Sequence, residues 1–176
     1  MSALTRKTPL KRSPVRRRKA PQTSVGATSP QRKGKTRVGI TKAKKRAWDA
    51  FSRYIRLRSA LETTGTLSHA KCCTCGTYKE VKYMDCGHFI KRQHQAVRFS
   101  EMNCHTQCKR CNNFEQGSDT KYRLFLVDKY GEIKVLLLES EAKRTVKRSK
   151  FDLGQIAFYY KTEATRLAKE KGLKLW

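Results

Sequence analysis

The stretch MDCGHFIKRQHQAVRFSEMNCHTQCKRCNNF, Met84 to Phe114, places three histidines, four cysteines and three asparagines inside a chain otherwise dominated by lysine and arginine. Its closing pair, Cys108-x2-Cys111, answers an upstream pair, Cys72-x2-Cys75, across 32 intervening residues. Two such knuckles supply four thiolates, the ligand set of a tetrahedral structural Zn²⁺. A site of this kind contributes about 10 to 16 kcal/mol of apparent binding energy to the folding of a small domain. Cys73 and His69 lie close to the first knuckle, but only Cys72 gives the two-residue spacing with Cys75. The remaining cysteines, Cys73, Cys86 and Cys104, read as small buried side chains.

Working outward, Val81 to His88 alternates with period two, which predicts a strand that is half of a hairpin. Asp85 then falls on the strand face opposite His88 unless Gly87 allows a bulge. The run CNNFEQ after the second knuckle can open a helix, and GSDTKYRLFLVDKYG reads as another, with Ser118 as N-cap and Gly131 beyond its end. EIKVLLLESEAKR is ambiguous between strand and helix, with helix favoured by its Glu, Leu and Lys content. A last helix is expected from Asp152 as cap to Gly172 as stop. Upstream, KRAWDAFSRYIRLRSALETTG puts Trp48, Phe51 and Ile55 at helical spacing beside Arg53, Arg56 and Arg58.

Charge bounds the partner. The 176-residue chain has 41 basic and 14 acidic residues, a net charge of +27 and a pI near 10.2. A polyanion is the expected partner. The longest aliphatic run, Val135 to Leu138, is far short of the roughly 20 residues that span a bilayer, so no membrane association is expected. The start of the chain has basic charge but no apolar segment behind it, which predicts a protein that stays in the reducing bacterial cytoplasm. Residues 1–46 contain no Asp or Glu and hold all four prolines. They read as a disordered basic arm in which Arg16, Arg17, Arg18 and Lys19 attract phosphates. Residues 47–176 read as one zinc-containing domain with C-terminal helices.

The order of His88 at a strand end, Asn103 in the following loop and Asn112 directly after Cys111 resembles the His-Asn-His nuclease pattern, including the run N-x4-C-x2-C-N. In MDCGHFIKR, RFSEMNCHTQCKRCNNF, GSDTKYRLFLVDKYG and FSRYIRLR the chain is similar to the NinG or Rap recombination proteins of lambdoid phages, over about residues 51–160. The resemblance implies an α+β fold: a zinc-stapled ββα-metal nuclease core, His-Me or HNH-like, with flanking helices. It also implies a phage enzyme, an endodeoxyribonuclease resembling Holliday junction resolvases, that cuts branched recombination intermediates such as Holliday junctions and D-loops.

The chemistry fits those residue types. An imidazole can take a proton from water at neutral pH, and His88 is the candidate base. A hard cation, Mg²⁺ or Mn²⁺, would stabilise charge on the phosphate, and the carboxamide oxygen of Asn112 suits it. Asn103 would hydrogen-bond loop backbone and so orient the histidine. Many members of the wider nuclease family carry an acidic or histidine ligand immediately before the base, where this chain has Gly87. Asp85 and His105 stand as equal candidates for the second ligand. Lys91, Arg92, Arg98, Lys109 and Arg110 are expected to meet DNA, and a homodimer is expected because a junction needs two symmetric cuts. The competing reading is a non-enzymatic zinc-ribbon protein that binds DNA or RNA by charge.

Overall fold

In the computed structural model, residues 33–172 are described; the arm residues Arg16 to Lys19 lie outside them. Within the unit Arg32–Trp176 the order is α1 (Lys33–Thr64), β1 (His69–Lys71), β2 (Tyr78–Glu80), β3 (Met84–His88), β4 (Cys104–Cys108), α2 (Asp119–Tyr130), α3 (Glu132–Glu141) and α4 (Lys150–Glu170). The strands form two antiparallel pairs, β1 with β2 and β3 with β4. Helices with small antiparallel sheets make the fold α+β.

The long helix α1 corrects the expected arm boundary: it starts at Lys33 rather than after Arg46. Local composition argues against helix there, but Ile40 and Ala43 pack on the same apolar cluster as Ala47 and Phe51. That cluster lies between α1 and α4, with Leu153, Tyr160, Ala164 and Ala168 supplied by α4. Phe51 is its centre, edge-on to Tyr160 at 4.8 Å and to Phe99 at 5.6 Å. Tertiary burial thus supports helix N-terminal to Arg46.

The β3–β4 pair lies between α1 and α2. On one side Cys86 and Cys104 join the α1 cluster. On the other, the buried Tyr122 of α2 donates its hydroxyl to the Gly87 carbonyl at 3.1 Å and meets His105 Nδ1 at 3.3 Å. All five residues of β4 are buried although three are polar, so alternation could not reveal this strand. The expected strand from Val81 is shorter than its pattern: Val81–Tyr83 is a 3-10 turn, and pairing begins at Met84 opposite Cys108. CNNFEQ does not open an α-helix either, since Arg110–Phe114 makes a single π-type turn.

Two caps differ from expectation. Ser118 stands at the N-cap position of α2 as expected, but with φ 52° its side chain makes no capping bond; its hydroxyl donates instead to Glu115 at 2.7 Å. Helix α4 starts one turn earlier than expected, because Ser149 is the cap and Asp152 its reciprocal partner in a capping box. Gly131 does end α2.

Phe51→Ala should cost about 3 to 5 kcal/mol, and Ser149→Ala about 1 kcal/mol. Urea unfolding checks both, and a loss below about 1 kcal/mol for Phe51→Ala would show that this cluster does not hold α1 on α4.

Candidate functional site

The Sγ atoms of Cys72, Cys75, Cys108 and Cys111 all lie within 4.8 Å of one another. Cys75 and Cys108 are 3.8 Å apart, which is about the sulfur separation that tetrahedral Zn–S bonds of roughly 2.3 Å produce. Gly76 shapes the first knuckle: with φ +73° it donates its N–H back to the Cys72 carbonyl at 3.0 Å. The Cys108 N–H points at Cys72 Sγ, 3.3 Å away. The four residues fit one structural zinc ion, and the other three cysteines stand outside the cluster.

A cleft of about 720 Å³ opens beside this cluster. Its walls bring together Asp85, His88 and Asn112 from the central stretch and Trp48, Ser52 and Arg56 from α1. The strand register is continuous, with no bulge at Gly87, yet Asp85 and His88 line the same space. Among the described residues β3 is paired only with β4. Met84, Asp85, Cys86 and His88 all border the cleft, so it runs along the open edge of β3, where both strand faces can reach it. Asp85 and His88 therefore keep opposite strand faces, as expected, and still border one cleft.

The His88 ring stacks on Trp48, centroids 4.8 Å apart and planes 15° from parallel. Its Nε2 is 3.0 Å from the Arg98 carbonyl. A carbonyl only accepts, so Nε2 carries the proton and Nδ1 keeps a free lone pair. Burial holds the His88 pKa down to about 4; the Arg98 carbonyl pulls it upward, while the charges of Arg98 and Arg92 push it lower. The imidazole is thus neutral at physiological pH.

Asn103 is wholly buried and holds the loop that supplies this carbonyl. Its Oδ1 accepts from the Ile90 N–H at 2.7 Å, and its Nδ2 donates to the Ile90 and Val97 carbonyls at 3.0 Å each. Val97 directly precedes Arg98, so the asparagine fixes the chain that orients His88 without touching the ring. His94 Nδ1 meets the Ala142 carbonyl at 3.2 Å and ties the same loop to the end of α3.

Asp85 Oδ2 accepts from Asn112 Nδ2 at 3.1 Å and from Asn113 Nδ2 at 3.3 Å. Because a carboxylate only accepts, the Asn112 amide nitrogen must face it, which turns Asn112 Oδ1 elsewhere. The Asp85 carboxylate and the Asn112 carboxamide are thus in direct contact at the wall of the cleft. His105 is not with them. It is buried among Tyr122, Phe125 and Tyr130, its Nε2 is 2.9 Å from the Tyr130 hydroxyl, and burial lowers its pKa to about 2. Of the two rivals for a second ligand, only Asp85 meets Asn112.

The model of the family described as Bacteriophage Lambda NinG protein matches residues 2–170. The chain belongs to the NinG family. It is similar to Protein ninG of Salmonella phage P22, 35% identical over 74 residues, and to Protein ninG of Escherichia phage lambda, 34% identical over 74 residues. Each alignment covers 42% of this chain and 36% of the relative, so the match spans about a third of those proteins. No solved structure matches.

In this NinG-family chain Gly87 has a steric reason. A Cβ there would overlap the carboxamide oxygen of Gln107, with the amide carbon 2.6 Å away. Gln107 fills the space over the glycine and donates Nε2 to the Gly117 carbonyl at 2.9 Å, bracing the turn that carries Asn112. Of the expected DNA contacts, Lys91 and Arg92 line the cleft, whereas Lys109 and Arg110 are exposed and do not line it, Arg110 being paired with Glu115. Arg98 differs: it is half-buried over the Phe99 ring. Trp48 reads in the sequence as core, and no local signal marks it as the partner of His88. Asn113 was signalled only by its place in the Asn-Asn pair.

No helix of the described residues is long and apolar enough to cross a membrane. The purified protein should contain one zinc per chain by elemental analysis, and Cys108→Ser should lose the metal and unfold at a lower temperature. Full zinc retention in Cys108→Ser would remove that sulfur from the ligand set.

Proposed function

We propose that the protein is a metal-dependent endonuclease that cuts branched DNA such as Holliday junctions, with the His88 to Asn112 region as a ββα-metal core. The carrying observation is that a neutral imidazole with its Nδ1 unengaged and an Asp85 carboxylate hydrogen-bonded by Asn112 border one cleft lined by Arg56, Lys91 and Arg92. A binding module has no need of such a pairing.

In this reading the basic side chains seat the phosphodiester. Trp48 and the Arg98 carbonyl hold the ring so that Nδ1 faces a water, from which it takes the proton as the water oxygen attacks phosphorus. Asp85 and Asn112 would hold Mg²⁺ or Mn²⁺, which supplies charge stabilisation on the phosphate and on the departing 3′ oxygen. Asn103 and Gln107 keep the two halves of the site in register. Zinc builds the frame and takes no part in the chemistry.

With a labelled four-way junction and Mg²⁺ or Mn²⁺, the protein should cut, and chelated samples should not. His88→Ala should lower cutting by about 10²-fold or more while junction binding survives; unchanged cutting by that variant would take His88 out of the reaction.

The pH dependence follows from the sign of the shift. A base with a lowered pKa is competent above that pKa, so kcat/KM should hold through pH 6 and fall only as pH approaches about 4. Zinc content and circular dichroism followed in parallel establish that the frame is intact. An acid limb centred at 6.5 or above would contradict a buried neutral His88.

A further inference from the structure

Helix α3 carries apolar residues on two faces. Val135 and Leu138 face inward, Val135 beside Tyr122 and Leu126 and Leu138 beside Val97. Yet Ile133, Leu136 and Leu137, which share a face at helical spacing, are 75%, 50% and 64% exposed. Leu124 on the preceding helix is 64% exposed as well. A helix with apolar residues on its outer as well as its inner face is a helix that another surface covers.

Charge identifies the occupant. The chain carries +27 overall, but residues 119–141, which contain α2 and α3, hold five acidic and four basic side chains. Arg123 is engaged within the segment by Glu132 at 2.6 Å and Glu139 at 3.1 Å. A stretch this close to neutral has no attraction for a nucleic acid backbone. It is also where two strongly basic chains can approach with least repulsion. A two-fold axis perpendicular to the helix runs it antiparallel to its own copy. Centred between Leu136 and Leu137, such a pairing brings Lys134 of each copy level with Glu139 of the other.

We propose that the exposed α3 stripe, Ile133, Leu136 and Leu137, is the contact through which two copies of this chain form a two-fold dimer. The surface argument stands without the cleavage reading; only the use of the dimer, pairing two cuts across a symmetric junction, rests on it. The face is not that of the cleft residues, so dimer formation leaves the basic cleft open to DNA.

The test is mass measurement of the full-length, zinc-loaded protein without DNA, by sedimentation or light scattering across a range of about 1 to 100 µM. The expected species at the upper end has twice the chain mass of 20.4 kDa, dissociating on dilution. Leu136→Glu with Leu137→Glu should yield monomer at every concentration, with zinc content and melting temperature retained because both side chains are already outside the core. A single-chain mass throughout the range, or a dimer that survives the double substitution, overturns the proposal. Cutting activity is not read in this experiment, so failure of the dimer and failure of the nuclease reading are separate outcomes.

Discussion

Four sulfurs within 4.8 Å of one another join the turn of the β1–β2 hairpin to the end of β4 and the turn after it. Little else could make that junction. The strand that must be held, CHTQC, buries a histidine, a threonine and a glutamine, and the apolar cluster around the knuckles consists of small pieces such as Ala60, Ala70, Val81 and Met84. Burial of so little apolar surface would not offset the ordering of a strand, a hairpin and a π-type turn. Thiolate–metal bonds at these four cysteines would supply what the core lacks, one residue before Asn112. An ion held there would also set the starting point of the side chain opposite Asp85.

Around that clamp, polar side chains do work that apolar packing does elsewhere. Asn103 makes three hydrogen bonds to the backbone of a loop that has no regular structure of its own. Arg148 reaches the same loop from the segment before α4, donating to the carbonyls of Gln95 and Ala96. His94 secures it to the end of α3. The long connection between β3 and β4 is thereby fixed at several points, and the Arg98 carbonyl is held where the imidazole needs it. Buried polar networks of this kind are costly when incomplete, which makes their geometry well specified.

Charge is distributed unevenly over the molecule. The cleft gathers Arg56, Lys91 and Arg92, while the α2–α3 segment is close to neutral. The basic cleft residues and the near-neutral helices are thus segregated along the sequence, with the turn that carries Cys108 and Cys111 between Arg92 and α2.

The sequence alone determined the metal ligands, because thiolate spacing is a covalent property of the chain. It also made α2, α3, α4 and the packed part of α1 legible, since helical periodicity and stop signals such as Gly131 are local. It marked His88, Asn103 and Asn112 in order. What it could not settle was the start of α1, where Ile40 and Ala43 pack on a cluster completed by residues distant in sequence, or the strand β4, whose buried polar residues hide its pattern. Nor could it choose between Asp85 and His105. Parity along an ideal strand argued against Asp85, and only the tertiary structure shows a cleft on the open edge of β3 that both faces reach. His105 lost its claim to three aromatic neighbours distant in sequence, and Gly87 acquired its meaning from Gln107 on the facing strand. In each case the deciding contact lies across the fold, where spacing along the chain carries no information.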